Sequence, residues 1–116
     1  MSIVHGGKSL DANVTVEDFS QLILGSDVVL IDIRTAQELN EGFIGGARHL
    51  DFYNENFANE INALNKENTY ALYCRSGHRS GLAVKMMQDS GFKNICHLEG
   101  GIIEWTASGK PVQHTS

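Results

Sequence analysis

The sequence lacks the features of disordered, repetitive or fibrous proteins, such as abundant proline, repeats or low-complexity tracts. Of its 116 residues only one is proline, Pro111, and no low-complexity tract or internal repeat is present. The hydrophobic fraction is 41% and the charged fraction is 20%, which is too apolar for a disordered chain. The length suits one domain, and folding should bury roughly 65% of the surface of the unfolded chain. One hydrophobic core is therefore expected, without disulfides or metals to stabilise it.

Cysteine is scarce, and long apolar runs are absent. The cysteines are Cys74 and Cys96, and the amino-terminal sequence MSIVHGGKSLDANVT lacks the cationic start and apolar run of a secretory signal. We therefore expect two free thiols in a reducing compartment, the cytoplasm. No apolar stretch approaches the ~20 residues of a membrane helix, so we do not expect a membrane protein.

Positive charge is also in short supply. The formal net charge is −5, so the chain as a whole should repel nucleic acid and anionic membranes, and neither is expected as a partner. The stretch ALYCRSGHRSG at 71–81 is an exception, because Arg75, His78 and Arg79 closely follow Cys74 there. A local positive site in an acidic protein favours a small anionic ligand over a polyanion.

The pattern of apolar residues predicts alternating strands and helices. Apolar residues recur at helical spacing over 16–23, after Thr15 as a helix N-cap, and Gly25 ends that helix. The β-branched and apolar run at 28–31 is typical of a strand buried on both faces of a parallel sheet. The full set of predicted elements is strands at 28–31, 47–50, 69–73 and 94–98, and helices at 16–23, 36–41, 55–65, 78–90 and 102–107. The predicted class is α/β with a mainly parallel sheet.

Cys74 lies at the carboxyl end of a predicted strand, which is where parallel α/β sheets bind their ligands. The loop that follows has three features that favour an anion. A helix start offers unpaired N–H groups and partial positive charge, and Gly77 permits the positive φ that turns successive N–H groups inward. Arg75 and Arg79 add permanent positive charge. These features favour the thiolate, which is the nucleophilic form of cysteine, so the residues predict a cysteine that attacks something small and negative.

Several motifs resemble those of single-domain rhodaneses. They occur in the family's order and at element boundaries: DIR at 32–34 with Glu38, GFIGGA at 42–47, YCRSGHRS at 73–80 and LEGGIIEW at 98–105. The resemblance implies a three-layer domain over 14–112, with about five mainly parallel strands flanked by helices. Residues 1–13 are then expected to form a loosely ordered arm, and 113–116 a carboxy-terminal tail.

The resemblance also implies an activity. Members of this family move sulfane sulfur through a cysteine persulfide, so Cys74 would be the nucleophile and the sulfur carrier. Thiosulfate or another persulfide would be the anionic donor, and cyanide or a thiol, including a thioredoxin-like protein, would be the acceptor. No metal or organic cofactor is implied. The residues of the substrate-binding loop would be Arg75, Ser76, Gly77, His78, Arg79 and Ser80.

Supporting roles behind the active loop are expected for three further residues, Asp32, Arg34 and Glu99. The resemblance places Asp32 behind the active loop, and Arg34, four residues before Glu38, is expected to brace a helix or support the site. Arg79 has two open roles. It could contact the substrate, or it could pair with a buried carboxylate such as Asp32 or Glu99, because an isolated guanidinium is costly to bury.

The second cysteine and a zinc site are judged from spacing. Cys96 lies inside a predicted strand, where a buried packing role is expected. The spacings of Cys74 with His78 and of Cys96 with His97 do not match the usual ligand pairs, so zinc is disfavoured.

Two other functions stay open beside sulfur transfer. One is a persulfide carrier or regulatory binding module with little turnover, and the other is a phosphatase or arsenate reductase on the same scaffold. Related phosphatases have five residues between cysteine and arginine, whereas the four residues 75–78 separate Cys74 from Arg79 here. A shorter loop suits one sulfur atom better than a tetrahedral phosphoryl group. The chain also has Phe43 and Gly45 where the family often has histidine and proline, which should loosen that loop.

Overall fold

The computed structural model describes residues 4–5, 8–9 and 12–114. The strands of this part of the chain are β1 (Val4–His5), β2 (Lys8–Ser9), β3 (Asn13–Val14), β4 (Val28–Asp32), β5 (Arg48–His49), β6 (Thr69–Tyr73) and β7 (Asn94–Leu98). Its helices are α1 (Val16–Leu22), α2 (Ala36–Leu39), α3 (Phe57–Asn62), α4 (His78–Asp89) and α5 (Gly101–Ala107).

Five of the strands form one parallel sheet in the order β3-β7-β6-β4-β5, and β1 and β2 form a separate antiparallel pair. The predicted α/β class with a parallel sheet is therefore confirmed. The edge strand β3 has no counterpart among the strands predicted from apolar runs, because it is only two residues long. Its Asn13 pairs in register with His97 of β7.

The terminal predictions fall largely on residues that are not described. Most of the predicted arm at 1–13 and the last two residues of the predicted tail at 113–116 lie outside the described residues. Within the described part of the tail, Gln113 forms a β-bridge to Phe43.

Helices cover both faces of the sheet and create two halves of the core. Side chains alternate between the faces along a strand, so neighbouring residues of β6 enter different halves. Leu72 and Cys74 lie in the half covered by α3 and α4, whereas Ala71 and Tyr73 lie in the half covered by α1 and α5. In the second half, the Phe19 ring packs edge-on against the rings of Tyr73 and Trp105, at centroid distances of 6.4 and 6.2 Å.

The carboxyl ends of the central strands position the candidate site. The loops that leave β4, β6 and β7 lie side by side at one edge of the sheet, because these strands are parallel neighbours. Backbone hydrogen bonds tie these loops together: Ile33 N–H donates to the Tyr73 carbonyl at 3.1 Å, and Ile102 N–H donates to the Cys74 carbonyl at 3.0 Å. Among the described residues, no helix has the length and apolarity needed to cross a bilayer.

Candidate active site

The loop between β6 and α4 wraps around the sulfur of Cys74. The Gly77 N–H donates to Cys74 Sγ at 3.1 Å, and the Ser80 N–H donates to it at 3.4 Å. Gly77 adopts a φ of 99°, the left-handed conformation that turns the loop back over the sulfur. The inward direction predicted for the loop N–H groups is therefore confirmed for these two residues.

Two glycines allow the loop to pack tightly against the rest of the site. A Cβ atom on Gly77 would collide with the carbonyl oxygen of Glu99, and one on Gly101 would collide with the carbonyl of Arg75. The start of α5 is thus directly behind the loop, where the Ile103 N–H donates to the Arg75 carbonyl at 3.2 Å. Gly101, at the start of α5, therefore lets the last helix begin close to the loop.

Burial differs sharply between the sulfur-bearing residue and the outer residues of the loop. Cys74 is 1% exposed, whereas Arg75, Ser76 and His78 are exposed. Among the described residues, Arg75 forms no ion pair. The arrangement places the Cys74 thiol inside the loop and, among the described residues, a positive charge without an ion pair at its outside.

Arg79 points its guanidinium at a carboxylate from another part of the chain. Its Nη1 and Nη2 each donate to one oxygen of Glu38 at 2.8 Å, and its guanidinium carbon lies 5.5 Å from the centre of the Tyr53 ring. The hydrogen bond from Arg79 is the main reason that the pKa of Glu38 falls from its ordinary 4.5 to about 2. The expectation of Asp32 or Glu99 as the partner of Arg79 was wrong.

Neither Asp32 nor Glu99 is available to pair with Arg79. Asp32 is buried and already paired, because Arg34 Nε and Nη2 donate to its two oxygens at 3.0 and 2.8 Å. Arg34 also donates to the carbonyls of Gly42 and Glu38, at 2.7 and 3.4 Å, so it ties β4 to α2 and the loop after it. Glu99 is exposed, and it is its backbone carbonyl that packs on Gly77.

The segment GFIGGA at 42–47 is anchored by contacts with residues that are distant in the sequence. Phe43 exchanges backbone hydrogen bonds with Gln113, at 2.8 and 2.7 Å, and the Ile44 N–H donates to the Tyr73 hydroxyl at 2.9 Å. These contacts restrain the loop although it lacks the histidine and proline that the family often has.

Sequence reasoning missed a polar chain that leads away from the sulfur. Ser80 Oγ lies 3.5 Å from Cys74 Sγ and 2.7 Å from His97 Nδ1, and His97 Nε2 lies 2.5 Å from Asn13 Oδ1. Ser80 is 0% exposed and His97 is 4% exposed. The signal in the sequence was a histidine inside an otherwise apolar strand, since a buried polar group needs a hydrogen-bond partner. Zinc binding beside Cys96, which the spacing disfavours, was the one role predicted for His97.

The second cysteine has the packing role that was predicted. Cys96 is 1% exposed, and burial raises the pKa of its thiol to about 12. It lies in the half of the core beneath α1 and α5, on the opposite face of the sheet from Cys74. Within the described part of the chain, no group of three or more histidine, cysteine, aspartate or glutamate residues is placed to hold a metal ion.

Comparison with known proteins agrees with this geometry. The family described as the rhodanese-like domain matches residues 15–108. The chain belongs to the rhodanese-like domain family. A protein named sulfurtransferase from Allochromatium vinosum is 34% identical over 97 residues, covering 83% of this chain and 89% of the relative. Other relatives are much longer, and this rhodanese-like domain covers as little as 22% of some of them.

Solved structures with the same fold carry different functional descriptions. A rhodanese-related protein from Thermoplasma volcanium aligns with a TM-score of 0.78 and 26% identity, covering 89% of this chain and 98% of that one. A protein of unknown function from Rhodopseudomonas palustris, described as a possible tyrosine phosphatase, aligns with a TM-score of 0.72 and 31% identity. In that case the coverage is 87% of this chain and 83% of the other.

Proposed function

We propose that this rhodanese-like domain is a sulfurtransferase that carries sulfane sulfur as a persulfide on Cys74. The observation that supports the proposal most directly is the pair of N–H groups, from Gly77 and Ser80, that donate to the sulfur. Hydrogen bonds to an anion are roughly twice as strong as neutral ones, so this contact favours a thiolate. The similarity of the chain to a relative named sulfurtransferase also supports the proposal.

The proposed reaction has two displacement steps. The Cys74 thiolate attacks the outer sulfur of thiosulfate, the S–S bond of thiosulfate breaks, and sulfite leaves with the bonding pair. The outer sulfur of the resulting persulfide is then attacked by cyanide or by a thiolate. The S–S bond to Cys74 breaks, and the Cys74 thiolate is regenerated. This is covalent nucleophilic catalysis, for which ping-pong kinetics are expected.

The loop has further donors for the transferred sulfur. Among the described residues, no backbone carbonyl accepts from the N–H groups of Ser76, His78 or Arg79. The first residues of a helix lack intrahelical partners for these groups, so they can serve an anionic sulfur or the oxygens of a donor. The exposed charge of Arg75 would draw an anionic donor towards the loop.

The burial of Cys74 limits the size of the donor and the acceptor. Since the residue is 1% exposed, the reacting atom of either partner must be narrow enough to enter the loop. The terminal sulfur of thiosulfate, cyanide and an extended thiol meet this condition. A thioredoxin-like protein is a proposed acceptor on the same ground, provided that its thiol is at an exposed tip.

Intact-mass analysis after incubation with thiosulfate tests the proposal. We expect the protein to gain one sulfur atom, and we expect Cys74→Ser to gain none. Cys96→Ala is the matched control, because it removes the other thiol from the opposite face of the sheet and should leave loading intact. Loading that persists in Cys74→Ser, or that is absent from the unaltered chain with every donor tried, would overturn the proposal.

A second measurement separates an enzyme from a carrier. Thiocyanate formation on addition of cyanide is expected to continue for many turnovers if the protein is a sulfurtransferase. A single stoichiometric release would instead identify a persulfide carrier or regulatory module.

A phosphatase is the second candidate, because a similar structure is described as a possible tyrosine phosphatase. Two observations disfavour it: the loop between Cys74 and Arg79 is one residue shorter than in phosphatases, and the guanidinium of Arg79 is occupied by Glu38. We expect no Cys74-dependent hydrolysis of para-nitrophenyl phosphate. Hydrolysis without sulfur loading would favour the phosphatase.

A further inference from the structure

The polar chain from Cys74 to Asn13 crosses an otherwise apolar region between α4 and the sheet. Ser80 belongs to the first turn of α4, His97 to β7 and Asn13 to the edge strand β3, so three separate elements supply its members. Burying a hydroxyl and an imidazole costs free energy unless both are hydrogen-bonded. The chain satisfies both groups, and its inner end is the nucleophilic sulfur.

The tautomer of His97 is assigned from the orientation of the exposed Asn13 amide. Its Oδ1 is an acceptor only, so the nitrogen of His97 that faces it, Nε2, carries a proton. In the neutral imidazole, Nδ1 is then unprotonated and accepts from the Ser80 hydroxyl at 2.7 Å, a shorter contact than the 3.4 Å from that hydroxyl to the Gly77 carbonyl. The lone pairs of Ser80 Oγ are left to face Cys74 Sγ at 3.5 Å, where they accept from the thiol S–H.

We propose that Ser80 and His97 form a proton relay that ionises Cys74, with Asn13 holding the imidazole in the required tautomer. The S–H proton moves to Ser80 Oγ, and the hydroxyl proton of Ser80 moves to His97 Nδ1. The products are a thiolate and an imidazolium, and no atom or electron is left over. Ser80 then turns from an acceptor into a donor towards the anionic sulfur. This inference deepens the proposed sulfur transfer and rests on it.

The relay also stores, on His97, the proton that Cys74 gives up. The imidazolium of His97 balances the negative charge of the thiolate and, after sulfite has left, that of the persulfide. When the acceptor removes the outer sulfur and the Cys74 thiolate returns, the proton stays on His97, and the resting pair of thiolate and imidazolium is restored. His97 is thus the general base of the cycle, acting through Ser80, and Asn13 is a positioning residue.

The described groups around His97 are compatible with this role. α4 presents Ser80 and the backbone of Gly81, β3 presents Asn13, and Leu72 lies beside His97 in the sheet. None of these four groups is charged. The charge of Arg79, which follows His78 on the same helix, is already balanced by Glu38.

The relay is tested by replacing its two proton-carrying side chains. Ser80→Ala removes the hydroxyl, and His97→Gln keeps a polar partner for Ser80 but no basic nitrogen. At neutral pH we expect both variants to lose the ultraviolet absorbance of the thiolate and to react with iodoacetamide about a hundredfold more slowly than the unaltered chain. Persulfide loading by thiosulfate should slow by the same factor. Ser80→Thr, which restores a hydroxyl, should react faster than Ser80→Ala.

The pH dependence distinguishes a relay from a structural defect. Hydroxide can remove the thiol proton directly, so the rates of Ser80→Ala and His97→Gln should approach that of the unaltered chain as pH rises. A damaged loop would not recover in this way. Cys96→Ala, a buried change in the same strand as His97, is the matched control for weakened packing and should keep the thiolate signal.

The outcomes for the relay and for the sulfur transfer are separable. Wild-type rates of alkylation at neutral pH in both Ser80→Ala and His97→Gln would overturn the relay, whatever the protein does with thiosulfate. A thiolate signal that depends on Ser80 and His97, in a protein that no donor loads with sulfur, would support the relay and overturn the proposed sulfur transfer.

Discussion

At the scale of single residues, charge around the loop is divided between two arginines with different tasks. The Arg79 side chain donates to both oxygens of Glu38 and is 12% exposed. Arg75 is exposed and forms no ion pair with any described residue. The partly buried pair braces the first turn of α4 against the start of α2. Under the proposed function, Arg75 is the arginine that would attract an anionic donor.

Glu38→Gln should destabilise the protein in a pH-dependent way. The folded-state pKa of Glu38 is lowered to about 2 from an ordinary 4.5, so its stabilising contribution is complete above 4.5 and is lost as pH falls towards 2. After allowance for partial exposure, the contribution is roughly 2 kcal/mol. Glutamine can still cap α2 with Thr35 through its one amide oxygen, so the change removes the charge and one of the two acceptors for Arg79.

Denaturant unfolding between pH 7 and pH 2 measures this contribution. The difference in unfolding free energy between the unaltered chain and Glu38→Gln should shrink as the pH falls through the window from 4.5 to about 2. Glu17→Gln is the control, because the carboxylate of Glu17 pairs with Lys110 but is 74% exposed. A difference for Glu38→Gln that stays constant with pH would show that the ion pair with Arg79 does not stabilise the fold.

At the scale of elements, the site depends on how closely α5 begins behind the loop. Gly101 combines a φ of 66° with a position where a Cβ would strike the carbonyl of Arg75. The N–H groups of Ile102 and Ile103 donate to the carbonyls of Cys74 and Arg75. Any displacement of α5 therefore moves the residue that carries the sulfur.

Gly101→Ala should both destabilise the protein and slow persulfide loading. We expect a loss of about 3 kcal/mol in unfolding free energy, since backbone strain and a steric collision act together. Gly109→Ala is the matched control: φ there is 81° but the space is open, so only about 1 kcal/mol of backbone strain is expected, with normal loading. Equal effects of the two variants on loading would contradict the proposed contact between α5 and the loop.

Sequence-based prediction succeeded for elements whose cause is local. The central strands β4, β6 and β7 are continuous apolar runs, and the position of Gly77 after Cys74 reveals a strand-to-helix turn without any knowledge of the tertiary fold. The strand β3 was missed because two residues carry no periodicity, and its existence depends on pairing with β7. The same limit hid the site's distant partners: Glu38 is 41 residues from Arg79, and Asn13 is 84 residues from His97.

At the scale of the whole molecule, one sheet separates the core into two halves. Both halves pack against the same central strands, one on each face of the sheet. Tyr73 and Cys74 are consecutive residues that enter opposite halves. Loss of packing in one half must therefore disturb the strands that the other half depends on. The molecule is expected to unfold as a single unit, as most domains of this size do.

The single tryptophan makes cooperative unfolding measurable. Trp105 is on the buried face of α5, and its indole N–H donates to the Pro111 carbonyl at 2.8 Å. We expect its fluorescence and the far-ultraviolet circular dichroism to give the same denaturant midpoint and the same slope. A fluorescence transition that precedes the loss of secondary structure would show that the half beneath α1 and α5 opens independently.

The placement of Cys74 and Cys96 on opposite faces of the sheet has a consequence under oxidative stress. If peroxide converts the Cys74 thiolate to a sulfenic acid, Cys96 cannot form a disulfide with it, because the sheet lies between the two sulfur atoms. Repair then requires a thiol from another molecule. Where such reductants run short, the protein would progress to the irreversible sulfinic and sulfonic acids, and its inactivation would report the depletion of the surrounding thiol pool.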